Sequence, residues 1–179
     1  MLQECSIINV CKVFFEEPTK SHYLIEISRK LKLAHTSVKK HLGNLKSRGI
    51  IIENIEKKGK RKFPIYKANL ENKEYKKYKK LYNIYALEDS GIINYLNDKL
   101  MPRSIILFGS YSRGEDIENS DIDLYLECKK QDVNLIKFEK ILKRKIQLQF
   151  KENFNDYPKE LKNNIANGII LKGYLEVFR

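Results

Sequence analysis

Apolar residues recur at helical spacing over Leu2 to Phe15, at Ile7, Ile8, Cys11, Phe14 and Phe15, and Pro18 lies just beyond; the pattern predicts a first helix with one face on a core. Leu24, Ile27 and Leu31 form the inner stripe of a second helix, for which Ser21 is the expected cap. After a break at Leu33-Ala34, with Thr36 and Ser37 as competent caps, Val38, Leu42 and Leu45 line a third helix that Gly49 closes. The period then changes. Ile50, Ile51 and Ile52 run into Glu53 to Glu56, then a basic tip Lys57-Lys58-Gly59-Lys60-Arg61-Lys62, then Phe63 to Ala68, which reads as strand, glycine turn, strand.

Leu70 to Leu100 returns to a charged helical pattern. Tyr75, Tyr78, Tyr82 and Tyr85 fall on one side of it, a stripe that wants either its own N-terminal region or the same helix of a second subunit, and the expectation is a homodimer. Asp89-Ser90-Gly91 interrupts the pattern, and Ile92, Ile93, Leu96 and Leu100 make a further helix ending before Pro102. Ile105 to Phe108 is a short apolar run suited to a buried strand. Alternation over Asp121 to Leu126 predicts a second strand, with Tyr125 and Glu127 continuing its aspartate face and Glu127 a charge at the rim. Val133 to Leu142 reads as a helix, Lys145 to Phe150 as a strand, Pro158 to Ala166 as a helix and Gly168 to Leu171 as a last strand.

With 179 residues and 42% hydrophobic content the chain can bury a sizeable core in one or two domains. The net charge of +12 is unevenly placed: residues 1–69 hold 15 Lys/Arg against 6 Asp/Glu, whereas residues 101–179 hold 14 against 12. The basicity belongs to the front, which points to nucleic-acid contact there. Three cysteines and three scattered histidines have neither disulfide-framework nor zinc-ligand spacing. No run has the length of a membrane span, and the apolar positions near Met1 are broken by Glu4 and Lys12, unlike a signal peptide; a cytoplasmic protein without a membrane partner is expected.

The chemistry concentrates between Gly109 and Leu124. Gly109-Ser110 stands where the strand Ile105 to Phe108 must turn. Glycine lets backbone approach a ligand closely, and a helix opening at Ser110 would aim N–H groups at the same point, a seat for phosphate. Asp121 and Asp123 flank Ile122, so strand alternation sets both carboxylates on one face as hard oxygen ligands for a divalent cation. Gly109-Ser110, Arg113-Gly114 and Ser120-Asp121-Ile122-Asp123-Leu124 together resemble the signature of the minimal nucleotidyltransferases of the DNA polymerase beta superfamily. That resemblance implies a mixed sheet with flanking helices, a nucleoside triphosphate held by Gly109, Ser110 and Arg113, and magnesium or manganese on the catalytic pair Asp121 and Asp123. It also implies transfer of a nucleoside monophosphate to a hydroxyl acceptor, by analogy a toxin or other protein. Members place a third carboxylate on the strand that follows the aspartate strand and helix, where this chain has Ile146-Gln147-Leu148. An amide has no basicity near neutral pH, so the resemblance leaves open a catalytically impaired regulator that senses a nucleotide or partner.

Three helices followed by a basic hairpin are similar to the winged helix-turn-helix domain of small transcription regulators. The resemblance rests on Thr36-Ser37-Val38-Lys39-Lys40-His41-Leu42, Leu45 and Arg48-Gly49-Ile50. It implies double-stranded DNA as a partner, met by His35, Thr36, Ser37, Lys39, Lys40 and Lys46 of the third helix and by Lys58, Lys60, Arg61 and Lys62 of the wing. The expected architecture is therefore α+β: a winged helix-turn-helix over 1–69, a linker or dimerisation helix over 70–88, and a nucleotidyltransferase domain over 89–179.

Overall fold

Helix α1 (Ser6–Glu16) buries Val10, Val13, Phe14 and Phe15. The computed structural model describes residues 6–176, so the helix start expected at Leu2 lies outside the described residues, as does Cys5. The chain divides into two units, 1–79 and 80–179.

In the first unit, β1 (His22–Tyr23) leads into α2 (Leu24–Leu31) and α3 (His35–Ser47). Ser21 does not cap α2: Tyr23 holds the cap position, and its N–H donates to the Glu26 carboxylate at 3.0 Å. Nor do Thr36 and Ser37 cap α3, which starts at His35 with Ala34 at the cap. Val38, Leu42 and Leu45 are buried together with Ile27 and Val10, because spacings of three and four put them on one helix face. Strands β2 (Ile51–Lys58) and β3 (Arg61–Ala68) form an antiparallel hairpin, and β1 pairs on the other side of β3, giving the order β1-β3-β2. The tip is shorter than expected. Lys58 pairs with Arg61, so only Gly59 and Lys60 turn, and Gly59 takes the positive φ of +61° that a two-residue hairpin requires.

Helix α4 (Lys73–Ser90) buries only Tyr75 of its tyrosine stripe. Its buried positions are Tyr75, Lys79, Asn83 and Leu87, four residues apart, while Tyr85 is 43% exposed. Spacings of three and four both keep residues on one helical face, and here the strict four-residue row wins, two of its members being polar.

The second unit continues with α5 (Ile92–Leu100), β4 (Ser104–Phe108), α6 (Gly109–Arg113), β5 (Ile122–Leu126), α7 (Ile136–Leu142) and β6 (Ile146–Phe150). A 3-10 turn (Phe154–Asp156), α8 (Lys159–Ala166) and β7 (Ile169–Gly173) follow. The sheet is mixed, in the order β6-β5-β4-β7, with β5 antiparallel to β4 and parallel to β6. Alternation sorts its side chains. Ile105, Leu107, Ile122, Leu124 and Leu126 pack with Leu87, Ile93, Leu96 and Phe138, whereas Ile106, Phe108 and Tyr125 pack with Phe154, Tyr157 and Ile165. Among the described residues no helix is long and apolar enough to cross a membrane.

Candidate functional site

Strand β4 is fully buried and stops at Phe108, which sits opposite Asp123 in the antiparallel ladder. The next residue, Gly109, takes φ +74°, and a Cβ built on it would overlap Asp123 Oδ2. Only glycine serves here on two counts, conformation and space. The five-residue helix α6 begins at Gly109 itself and ends at Gly114, at φ +71°, and Ser112 Oγ donates to Gly109 O at 2.8 Å, fastening the turn. Thus the Gly109-Ser110 turn and the aspartate strand are in contact, because β4 and β5 are paired neighbours.

The carboxylates are held differently. Asp123 faces the turn, and burial first, then the charge of Asp121, pushes its carboxyl above the usual aspartate range. Asp121 precedes β5, and its Oδ2 accepts a hydrogen bond from Gln147 Nε2 at 2.8 Å. Gln147 stands opposite Asp123 in the parallel β5–β6 ladder, the position where a third acid would complete a cluster. Among the described residues no group of three His, Cys, Asp or Glu side chains could hold a metal ion, so the site offers a carboxylate pair with a neutral amide beside it. Ser120 Oγ accepts the Ile117 N–H at 2.9 Å and steadies the loop before Asp121. Arg113, at the end of α6, is mostly exposed and donates through Nε to Glu115 at 2.7 Å. Glu127 is not a rim charge. It is buried, accepts from Ser104 Oγ at 3.3 Å, and lies 3.7 Å from Arg103.

Sequence reasoning missed the network under the aspartate loop. Asn83 Nδ2 donates to Tyr111 O at 2.9 Å and to Asp116 Oδ1 at 2.8 Å, and Arg144 lies 3.8 Å from the other Asp116 oxygen. Both Asp116 and Arg144 are more than nine-tenths buried. In the sequence Asp116 reads as one more polar loop residue, and the only available signal is the four-residue spacing that links Asn83 to Leu87 and Tyr75.

In the N-terminal unit His35, Thr36, Lys39, Lys40 and Lys46 on α3 are exposed and Ser37 is half-buried, as befits the face opposite Val38, Leu42 and Leu45. Lys46 is salt-bridged to Glu53. On the hairpin Lys58 lies 3.4 Å from Glu56 and over the Tyr23 ring, while Lys60, Arg61 and Lys62 are exposed. His41 turns inward, with Nε2 at 2.8 Å from Ser6 Oγ.

The glycine-serine turn of a mixed four-stranded sheet lies against Asp123, the arrangement that the resemblance to nucleotidyltransferases implies. Residues 90–175 match the family model described as "Polymerase beta, Nucleotidyltransferase". The chain is 42% identical over 74 residues to the Methanocaldococcus jannaschii protein named "Putative protein adenylyltransferase MJ1379", a match covering 36% of this chain and 74% of that one. The chain belongs to this nucleotidyltransferase family through its C-terminal half. A solved structure described as "Possible transcriptional regulator from Methanosarcina mazei Go1" shares 21% identity with a TM-score of 0.38, covering 52% of this chain and 78% of that one; a likeness of that size carries no argument.

Proposed function

We propose that the C-terminal unit binds a nucleoside triphosphate with a divalent cation and transfers its nucleoside monophosphate to an acceptor, and that the N-terminal unit is a winged helix-turn-helix that binds double-stranded DNA. The observation that carries the first half is the close approach of the Gly109 backbone to Asp123, which no side chain at 109 could share. Gly109, Ser110 and Arg113 are assigned to the phosphates. Asp121 and Asp123 are the hard oxygen donors that magnesium or manganese favours, and the cation would neutralise phosphate charge there. The named relative suggests a protein as acceptor.

The test is incubation of the full chain with each α-labelled nucleoside triphosphate and magnesium. Label transfer or pyrophosphate release that Asp121→Ala abolishes is expected; failure of every nucleotide to bind or react removes the reading.

The amide at Gln147 favours a second reading, a regulator that binds nucleotide without turnover and conveys its presence to DNA. Saturable nucleotide binding with no product would establish it. For the N-terminal unit, support comes from three helices followed by a hairpin, a third strand pairing on β3, and exposed cations on α3 and at the hairpin tip. The domain limits follow that assignment: 1–69 for the winged helix, 70–88 for the connecting helix and 89–179 for the transferase.

A further inference from the structure

The hairpin of the first unit leaves a long strand edge open. In the order β1-β3-β2 the outer strand on one side is β2, eight residues paired with β3 in unbroken register from Ile51 to Lys58, whereas β1 on the other side has two residues. The two-residue turn makes Lys58 and Arg61 a pair that exchanges ladder hydrogen bonds, and such pairs recur at every second position along the hairpin. Pro64, which has no N–H to give, accordingly stands opposite Ile55, where none is needed. Ile51, Glu53, Ile55 and Lys57 therefore direct their N–H and C=O groups away from β3, to the open side. Such an edge is a template for another strand, and chains commonly blunt it by short length, proline or a bulge. Strand β2 has none of the three, and Ile55 at its middle is 66% exposed.

We infer that β2 pairs antiparallel with β2 of a second copy of this chain, about a two-fold axis at Ile55, so that two three-stranded sheets join edge to edge. Charge selects both partner and register. With the axis at Ile55, Glu53 of each copy stands opposite Lys57 of the other and Ile55 meets Ile55; all three positions carry outward backbone groups, so each can exchange ladder bonds with its counterpart. Moving the axis two residues either way sets Glu53 against Glu53 or Lys57 against Lys57. Moving it one residue towards the tip sets Glu56 against Glu56, and one residue the other way leaves Glu53 and Lys57 opposite isoleucines. Lys57 is exposed and has no ion pair among the described residues. Glu53 is bridged to Lys46, and a carboxylate has lone pairs enough for a second cation. The contact is isologous and lies wholly within the first unit, so it depends on neither the transferase nor the DNA reading.

Sedimentation velocity on the full chain, from about 1 μM to about 1 mM, should show a monomer–dimer equilibrium. Lys57→Glu and Glu53→Lys should each weaken self-association about tenfold or more, because like charges then face each other twice. An equimolar mixture of the two variants restores opposite charges at both places and should dimerise within about threefold of the parent chain. Cysteine trapping reads the register independently. Across a bonding pair the Cα atoms are about 5.5 Å apart, within disulfide reach, so oxidation of Ile55→Cys should give a covalent dimer. Ile52→Cys, also at an exposed position, would lie roughly 20 Å from its counterpart and should cross-link no more than the parent chain with its own three cysteines. A monomer at every concentration overturns the inference and leaves the edge to a strand of a different protein. So does a dimer that the mixed variants fail to restore, or cross-linking of Ile52→Cys as readily as of Ile55→Cys. A dimer indifferent to both charge reversals but weakened by Leu81→Ala with Tyr85→Ala would place the contact on α4 and overturn it as well. Should Glu53→Lys fail to fold, Lys57→Glu and the two cysteine variants decide the matter, and association unchanged in Lys57→Glu counts against the inference.

Discussion

At the scale of single residues the site is governed by contacts too close for substitution. Alanine at Gly109 would have to hold a left-handed φ, at a cost of roughly 1–2 kcal/mol, and would also drive its methyl into Asp123. Gly109→Ala is expected to fold, since the turn lies at the end of β4, but to weaken nucleotide binding by about tenfold or more, measured by titration calorimetry. Asp123 supplies a pH prediction. Its carboxyl titrates above the ordinary value in the folded chain, so over the interval between unfolded and folded pKa the native state holds more protons than the unfolded one. Stability therefore falls as pH rises through that interval and is regained as pH falls. Asp123→Asn should raise the melting temperature of the nucleotide-free protein at pH 7, with the gain shrinking in acid; an unchanged or lowered melting temperature at pH 7 contradicts the burial argument. Residue identities made much of this legible: a Gly-Ser turn and two acids in alternation are chemical types with few alternative uses. Glu127 was misread because strand alternation gives the face a residue points to and not what packs there, and Ser104 and Arg103 come from a neighbouring strand and its approach.

Element by element, hydrophobic period predicted the helices and strands well where one face is apolar, as in α3, whose buried Val38, Leu42 and Leu45 follow from spacing alone. It failed on α4. Aromatic residues at spacings of three and four looked like the buried row, yet the chain buries Lys79 and Asn83, residue types that sequence reasoning assigns to solvent. Asn83 is tolerated because its amide donates twice, to Tyr111 O and to Asp116. Replacing it with leucine takes a donor from a buried carboxylate, and a buried polar group deprived of a partner costs about 1–3 kcal/mol. Asn83→Leu should therefore lower the denaturant midpoint measurably, while Tyr85→Ala, on the exposed side, should stay within about 0.5 kcal/mol of the parent. Because Asp116 sits in the loop leading to Asp121, the leucine variant should also raise KM for nucleotide at temperatures where it remains folded. A variant with normal stability and normal KM would show that the network is dispensable.

For the molecule as a whole, charge asymmetry was the most informative global property, because it can be counted without knowing the fold. The structure refines what that charge is free to do. Lys46 is held by Glu53, and Lys58 leans on Glu56 and Tyr23, whereas Lys39, Lys40, Lys60 and Lys62 are exposed. If the N-terminal unit binds DNA, log affinity should fall linearly with log salt, by about 0.9 per phosphate contact. Lys39→Ala, Lys40→Ala and Lys60→Ala should each lower that slope by about 1, measured by fluorescence anisotropy on a duplex across a salt series. Lys46→Ala should change it less, since part of its charge is already neutralised by Glu53. Repeating the series with saturating magnesium and nucleotide separates the two readings of the transferase half. A regulator that senses nucleotide must bind it with different affinity in its DNA-bound and free states, so DNA affinity should shift by roughly 5- to 150-fold, and the same factor must appear in nucleotide affinity when DNA is added. Identical slopes and intercepts with and without nucleotide would leave the enzyme as the reading that stands, and a flat salt response in every variant would remove DNA as the partner of the basic unit.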